Sequence, residues 1–176
     1  IYDGGHRVPC LIHWPNGELQ GGRDIATLTA HIDVLPTLAD LCGLPEPPSD
    51  GISFGSLLRG EADSLPREAH FIQYHGGAHF KTQPAPLDNS VVLTERWRLL
   101  HTPEGIELYD IEADPAQRAN IADQHPEVVE NLKAQYQPFW DKVSPHLRPG
   151  PIDLGNPTDN PTVLCSQDWY FGPPGN

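Results

Sequence analysis

The chain has 176 residues and a net charge of −13, with a pI near 4.9 and a mean hydropathy of −0.45. That length holds one core, or one small domain plus part of another. With no Lys/Arg cluster to attract a phosphate backbone, the acidic balance excludes nucleic acid as a partner, and no apolar run approaches the roughly 20 residues that cross a bilayer.

Asp3-Gly4-Gly5-His6-Arg7-Val8-Pro9 leads into the apolar run Cys10-Leu11-Ile12-His13-Trp14, closed by Pro15-Asn16-Gly17. Residues 8–14 alternate little, the pattern of a strand buried on both faces in the parallel sheet of a layered α/β domain. A chain without methionine that opens inside such a unit is expected to be part of a longer gene product. Asp33 to Cys42 reads as a short helix, with Asp33 as N-cap, Pro36 in the first turn, and Leu35, Leu38, Ala39 and Leu41 as the apolar face. Gly43 is expected to end it as a left-handed cap. Pro45 to Asp50, with three prolines and two acids, reads as a loop. The three cysteines, Cys10, Cys42 and Cys165, are too scattered for a disulfide framework. Cys10 in a strand and Cys42 at a helix end point to buried thiols, with one bridge left open.

Further strands are predicted at His70 to His75, at Ser90 to Thr94 running on through Trp97 to Leu100, and at Ile106 to Tyr109. Thr102-Pro103-Glu104-Gly105 turns between the last two. Sequential strands with short links argue for a small antiparallel sheet. Pro126 to about Val143 is the clearest helix: Pro126 suits the first position, and Val128, Val129, Leu132, Tyr136, Phe139, Trp140 and Val143 recur at helical spacing. Pro138 is predicted to kink it or end it early. One such helix laid on one antiparallel sheet buries the stripe. The proline-rich residues 144–176 read as a tail that wraps the body, anchored by Val163-Leu164 and Trp169-Tyr170-Phe171.

Taken in order, several short motifs carry a likeness. They are the GG-x-R-x-P turn at Gly4 to Pro9, Trp14-Pro15-Asn16-Gly17, Ala30 to Leu38, Asp50-Gly51-Ile52-Ser53 and Leu57-Leu58-Arg59-Gly60. Glu107 to Pro115 and Asn120-Ile121-Ala122 follow them. In this order they resemble the sulfatase family of the alkaline-phosphatase-like superfamily, from Tyr2 to about Trp140. The resemblance implies an α/β protein that is α+β within this chain. Residues 1–63 correspond to the end of the alkaline-phosphatase-like α/β catalytic domain, residues 64–143 to a small subdomain of antiparallel sheet packed on a C-terminal helix, and residues 144–176 to the tail.

The same resemblance implies a sulfuric ester hydrolase. Such enzymes use a formylglycine made from Cys or Ser in a C/S-x-P-x-R motif, and calcium or another divalent cation that holds the sulfate oxygens. None of the three cysteines opens that motif, and the family order places the metal-binding acids and the sulfate-binding lysine before Ile1. The chain is therefore expected to carry no catalytic or metal-ligating residue and to be inactive alone. Asp88-Asn89 and Asp159-Asn160 are composed like one of the metal pairs but come after the turn, and read as turn residues. Export to the periplasm or exterior is the family expectation. The rival readings are a phosphatase, phosphodiesterase or phosphonate hydrolase of the same superfamily, and a non-enzymatic binding module.

Five side chains are candidates for contact with a sulfated small molecule or carbohydrate. His6 and Arg7 stand beside the paired glycines, and His75, His79 and Lys81 lie on a glycine-rich loop after the first subdomain strand. Arg7 has a competing reading as a buried arginine tying the turn to the subdomain. His75 and His79 are spaced i, i+4 on a loop rather than a helix, which does not set two imidazoles for zinc. Leu108 to Asn120 reads as architecture, with Asp114-Pro115 starting a turn and Asn120 capping backbone. If Val8 to Trp14 lacks neighbouring strands, its apolar surface predicts a poorly stable or aggregating chain.

Overall fold

A computed structural model describes residues 2–17, 19, 21–74, 87–102 and 104–147, with backbone alone at His6, 152–153 and 163–164. The N-terminal half holds three short helices, α1 (Asp3–His6), α2 (Val34–Leu41) and α3 (Gly55–Arg59). A single turn of 3-10 helix, His31–Asp33, leads into α2. Gly43 ends α2 with a φ of 65°, and the Leu44 N–H returns to the Ala39 carbonyl at 2.8 Å, as the glycine predicted.

The buried face of α2 is not the predicted one. Pro36, Thr37 and Ala39 are buried, whereas Leu35 and Leu38 are exposed together with Val34. The inner face is polar and satisfied: the Thr37 hydroxyl donates to the Asp33 carbonyl at 2.6 Å and accepts the Phe54 N–H at 3.0 Å. Asp33 makes no cap with its side chain. Gly51 runs so close to the preceding turn that a Cβ there would stand 2.1 Å from the Ile32 carbonyl oxygen, which accounts for glycine in Asp50-Gly51-Ile52-Ser53.

Four strands follow as an antiparallel meander in sequence order: β1 (His70–Gln73), β2 (Ser90–Leu93), β3 (Trp97–Thr102) and β4 (Gly105–Asp110). The single strand predicted from Ser90 to Leu100 is thus two. Thr94 makes the turn, donating its N–H to the Trp97 carbonyl at 2.9 Å and accepting the Trp97 N–H on its hydroxyl at 2.8 Å. The register sets Phe71 opposite Val92, Val92 opposite Leu99 and Leu99 opposite Leu108, so the pleat gathers these on one face. Helix α4 (Pro126–Val143) lies on that face and buries Val129, Leu132, Tyr136 and Trp140 against it. It continues through Pro138 rather than ending there. The other face, Val91, Leu93, Leu100 and Tyr109, takes Leu28 from the N-terminal half.

Residues 8–14 form no strand, and Leu11 is 95 % exposed. A two-sided strand needs neighbours to take its N–H and C=O groups, and none of the described residues pairs with this stretch. For the same reason Cys10 is exposed rather than buried, and Cys42, past the end of α2, is a second exposed free thiol. In the tail, β5 (Ile152–Asp153) and β6 (Val163–Leu164) pair antiparallel with each other. Asp159-Asn160, Cys165 and Trp169-Tyr170-Phe171 lie outside the described residues.

Candidate functional site

The twin-glycine turn is one tight loop of backbone. The Gly5 N–H donates to the Tyr2 carbonyl at 2.8 Å and the Arg7 N–H to the Asp3 carbonyl at 2.7 Å, which forms α1. Asp3, within this exposed stretch, is itself buried, as is Arg98 on the β3 face turned away from α4. Arg98 Nε donates to Asp3 Oδ1 at 3.1 Å, and Arg98 Nη1 donates to the Thr94 and Trp97 carbonyls. Burial pulls the Arg98 guanidinium below its ordinary value, and Asp3 opposes that pull.

Two further contacts fix the turn. The Asp3 N–H donates to Gln117 Oε1 at 2.8 Å, and the Tyr2 hydroxyl donates to Glu107 Oε2 at 2.9 Å. The Tyr109 hydroxyl donates to the same oxygen at 2.6 Å, and the two phenol rings meet edge-on at 6.3 Å. The hydrogen bond to Glu107 raises the Tyr2 phenol, while burial, reinforced by Glu107, raises that of Tyr109. Glu107 therefore joins residue 2 to β4 through two phenols that stay protonated.

Of the predicted contact residues, Arg7 has a side chain 67 % exposed, with Nη1 3.9 Å from Asp3 Oδ2. It is not the buried arginine that ties the turn to the sheet; Asp3 and Arg98 make that tie. His6 lies in α1 with its side chain outside the described residues, and His75, His79 and Lys81 fall in 75–86, also outside them. Asp88 and Asn89 occupy the turn before β2, with Asn89 at a φ of 49°, as their composition predicted. Asn120 is architectural as expected: its Oδ1 accepts the N–H groups of Leu108 and Ala122, each at 3.0 Å.

The sequence reading missed Asp3, Arg98 and Gln117. Arg98 carried a signal, a charged residue set between Trp97 and the apolar pair Leu99-Leu100 of a strand, where a buried charge demands a partner. Gln117 offered none, because its position follows from the path of the chain after β4. A second buried ion pair, Asp33 with Arg67, fixes the start of α2 to the segment before β1. Beside it a cleft of about 840 Å³ runs between this corner and the sheet edge, walled by Ile32, Ile52, Phe71, Phe139 and Val143. Among the described residues no three His, Cys, Asp or Glu side chains are placed to hold one metal ion, so they do not fit the divalent cation that the family resemblance implies.

Comparison with known proteins gives the family of the chain. Residues 1–141 match the family described as N-sulphoglucosamine sulphohydrolase, C-terminal. Mouse steryl-sulfatase is 29 % identical over 182 residues, covering 83 % of this chain and 29 % of the relative. A delta 4,5-hexuronate-2-O-sulfatase from Bacteroides thetaiotaomicron is 35 % identical over 127 residues, covering 69 % of this chain and 25 % of the relative. Among solved structures, a 2-O GAG sulfatase superposes with a TM-score of 0.54 at 27 % identity, over 72 % of this chain and 27 % of that one. The chain thus spans under a third of the length of each of these proteins. The match over residues 1–141 shows that it belongs to the sulfatase family, as a C-terminal portion.

Proposed function

We propose that this chain is the C-terminal part of a sulfuric ester hydrolase whose reactive centre is completed by further polypeptide. The observation that carries the reading is the family match across residues 1–141. The exposed apolar residues of 8–14 and of α2 support it, because apolar side chains left in solvent are suited to burial against a larger α/β body. In this reading residues 1–63 end the catalytic α/β domain, 64–143 form the C-terminal subdomain and 144–176 wrap it. Formylglycine and calcium, or another divalent cation, supply the nucleophile and the charge stabilisation in the rest of the protein.

The substrate proposed is a sulfated small molecule or carbohydrate. The names of the hexuronate and GAG sulfatases that this chain resembles support the sugar. Arg7 presents an exposed guanidinium suited to an anionic group, and His6, His75, His79 and Lys81 are the other proposed contacts. The same reading places the protein in the periplasm or outside the cell; no helix among the described residues is long and apolar enough to cross a membrane.

The test compares p-nitrophenyl sulfate with p-nitrophenyl phosphate, on this chain and on the complete polypeptide that contains it. Turnover of the sulfate by the complete polypeptide, and of neither ester by residues 1–176 alone, is the expected result. Preference of the complete polypeptide for the phosphate would move the protein to the phosphatase branch of the superfamily. Turnover of neither ester by the complete polypeptide would favour a binding module, and turnover by the isolated chain would refute the placement of the reactive centre.

A further inference from the structure

The twin-glycine turn is held by residues far along the chain, at sequence separations of 105 for Tyr2 with Glu107, 114 for Asp3 with Gln117 and 95 for Asp3 with Arg98. Only the last is a charge pair, and both side chains are buried, at 6 % and 8 % exposure. A carboxylate withdrawn from water is tolerated where a cation answers it. Arg98 also donates to the Thr94 and Trp97 carbonyls, so its head is fixed in the sheet independently of Asp3. The sheet supplies a stationary cation, and the turn brings a carboxylate to it.

The second Asp3 oxygen, Oδ2, is buried and accepts no hydrogen bond among the described residues; Arg7 Nη1 stands 3.9 Å from it. A row of alternating charge, Arg98, Asp3, Arg7, therefore leads from the sheet to solvent. Among the described residues nothing lies within 4 Å of where a Cβ on Gly4 or Gly5 would project. Beyond its backbone bonds and the contacts of Tyr2 and Asp3 with Glu107 and Gln117, the polar row is what ties the turn to the sheet.

We propose that Asp3 is a positioning residue: clamped by Arg98, it fixes the twin-glycine turn and sets the Arg7 guanidinium where an anionic group of the substrate meets it. The anionic group rests on the sulfate-ester reading above; the clamp itself does not.

Trypsin cleavage of the Arg7–Val8 bond, followed by mass spectrometry against the exposed Arg118–Ala119 bond as internal reference, reads the clamp. Arg98→Met is expected to accelerate Arg7–Val8 cleavage about tenfold relative to the reference by populating the open turn, and Arg98→Lys to restore most of the resistance. Asp3→Asn, changed outside the sheet, should match Arg98→Met and carries the test if that variant does not fold. Unchanged cleavage in Asp3→Asn, or an equal acceleration at both bonds, overturns the clamp. For the anion, inorganic sulfate at matched ionic strength should slow phenylglyoxal modification of Arg7 in the native chain and not in Asp3→Asn. Equal slowing in both, or slowing in neither, overturns the positioning role. Neither readout needs turnover, so a complete polypeptide inert toward sulfate esters would refute the sulfatase reading while leaving the clamp to its own result.

Discussion

Each carboxylate oxygen of Asp33 accepts one N–H from Arg67 and one from the backbone, Ile52 on Oδ1 and Ala30 on Oδ2. Burial alone would raise this carboxyl, but Arg67 and the two amides outweigh it and hold it below the ordinary range. Both side chains are shielded from water, so screening weakens the pair little. Arg67→Met leaves the carboxylate buried without its cation and is expected to cost about 3–5 kcal/mol in urea unfolding. The pH dependence follows from the depressed folded value. The contribution of Asp33 is present above its unfolded pKa of about 3.9 and disappears as pH falls through the lower folded value, so native stability drops steeply there and the variant loses part of that slope. Asp33 stands at the start of the helix, where the sequence placed it, but its carboxylate is taken by Arg67, Ala30 and Ile52 rather than by the first-turn amides that a local capping rule supplies. Arg67, 34 residues on, was not legible, since nothing within one turn of chain says which distant cation will share a buried corner.

Apolar patterning made the elements readable. The stripe of α4 repeats every three or four residues, and its predicted ends, Pro126 and Val143, are the observed ones. The strands were readable as apolar runs bounded by turn residues, and their pleat puts Val92, Leu99 and Leu108 on the helix side and Val91, Leu100 and Tyr109 on the other. The β2–β3 turn escaped notice because Thr94-Glu95-Arg96 holds no Gly, Pro, Asn or Asp to mark it. Residues 8–14 and the outer face of α2 misled for a different reason: apolar patterning reports what a segment can bury, and the partner must come from elsewhere. Where the partner is present, its removal is measurable. Leu132 is 2 % exposed between α4 and the sheet, and Leu132→Ala should lower the unfolding free energy by about 2–5 kcal/mol through lost burial and the cavity left behind. Chemical denaturation with an unchanged m-value checks it.

At the scale of the whole molecule, Val34, Leu35 and Leu38 present an apolar strip on one side while the sheet and α4 are well packed on the other. In the isolated chain that strip should drive self-association. Leu35→Glu with Leu38→Glu is expected to shift the sample toward monomer in light scattering without lowering the unfolding midpoint; aggregation unchanged by the pair would place the liability elsewhere. The candidate site was less legible than the fold. The motif at Gly4 to Pro9 marks the turn in the sequence, but the side chains that hold it lie about a hundred residues downstream and are joined to it only by the way the chain returns. That separation has a consequence during synthesis. The turn leaves the ribosome well before Arg98, Glu107 and Gln117, which hold it, whereas the strands of the meander follow one another in sequence order. The N-terminal corner must therefore wait, unpinned, until translation has passed Gln117 and the hairpins have closed, which makes the order of assembly sheet before turn.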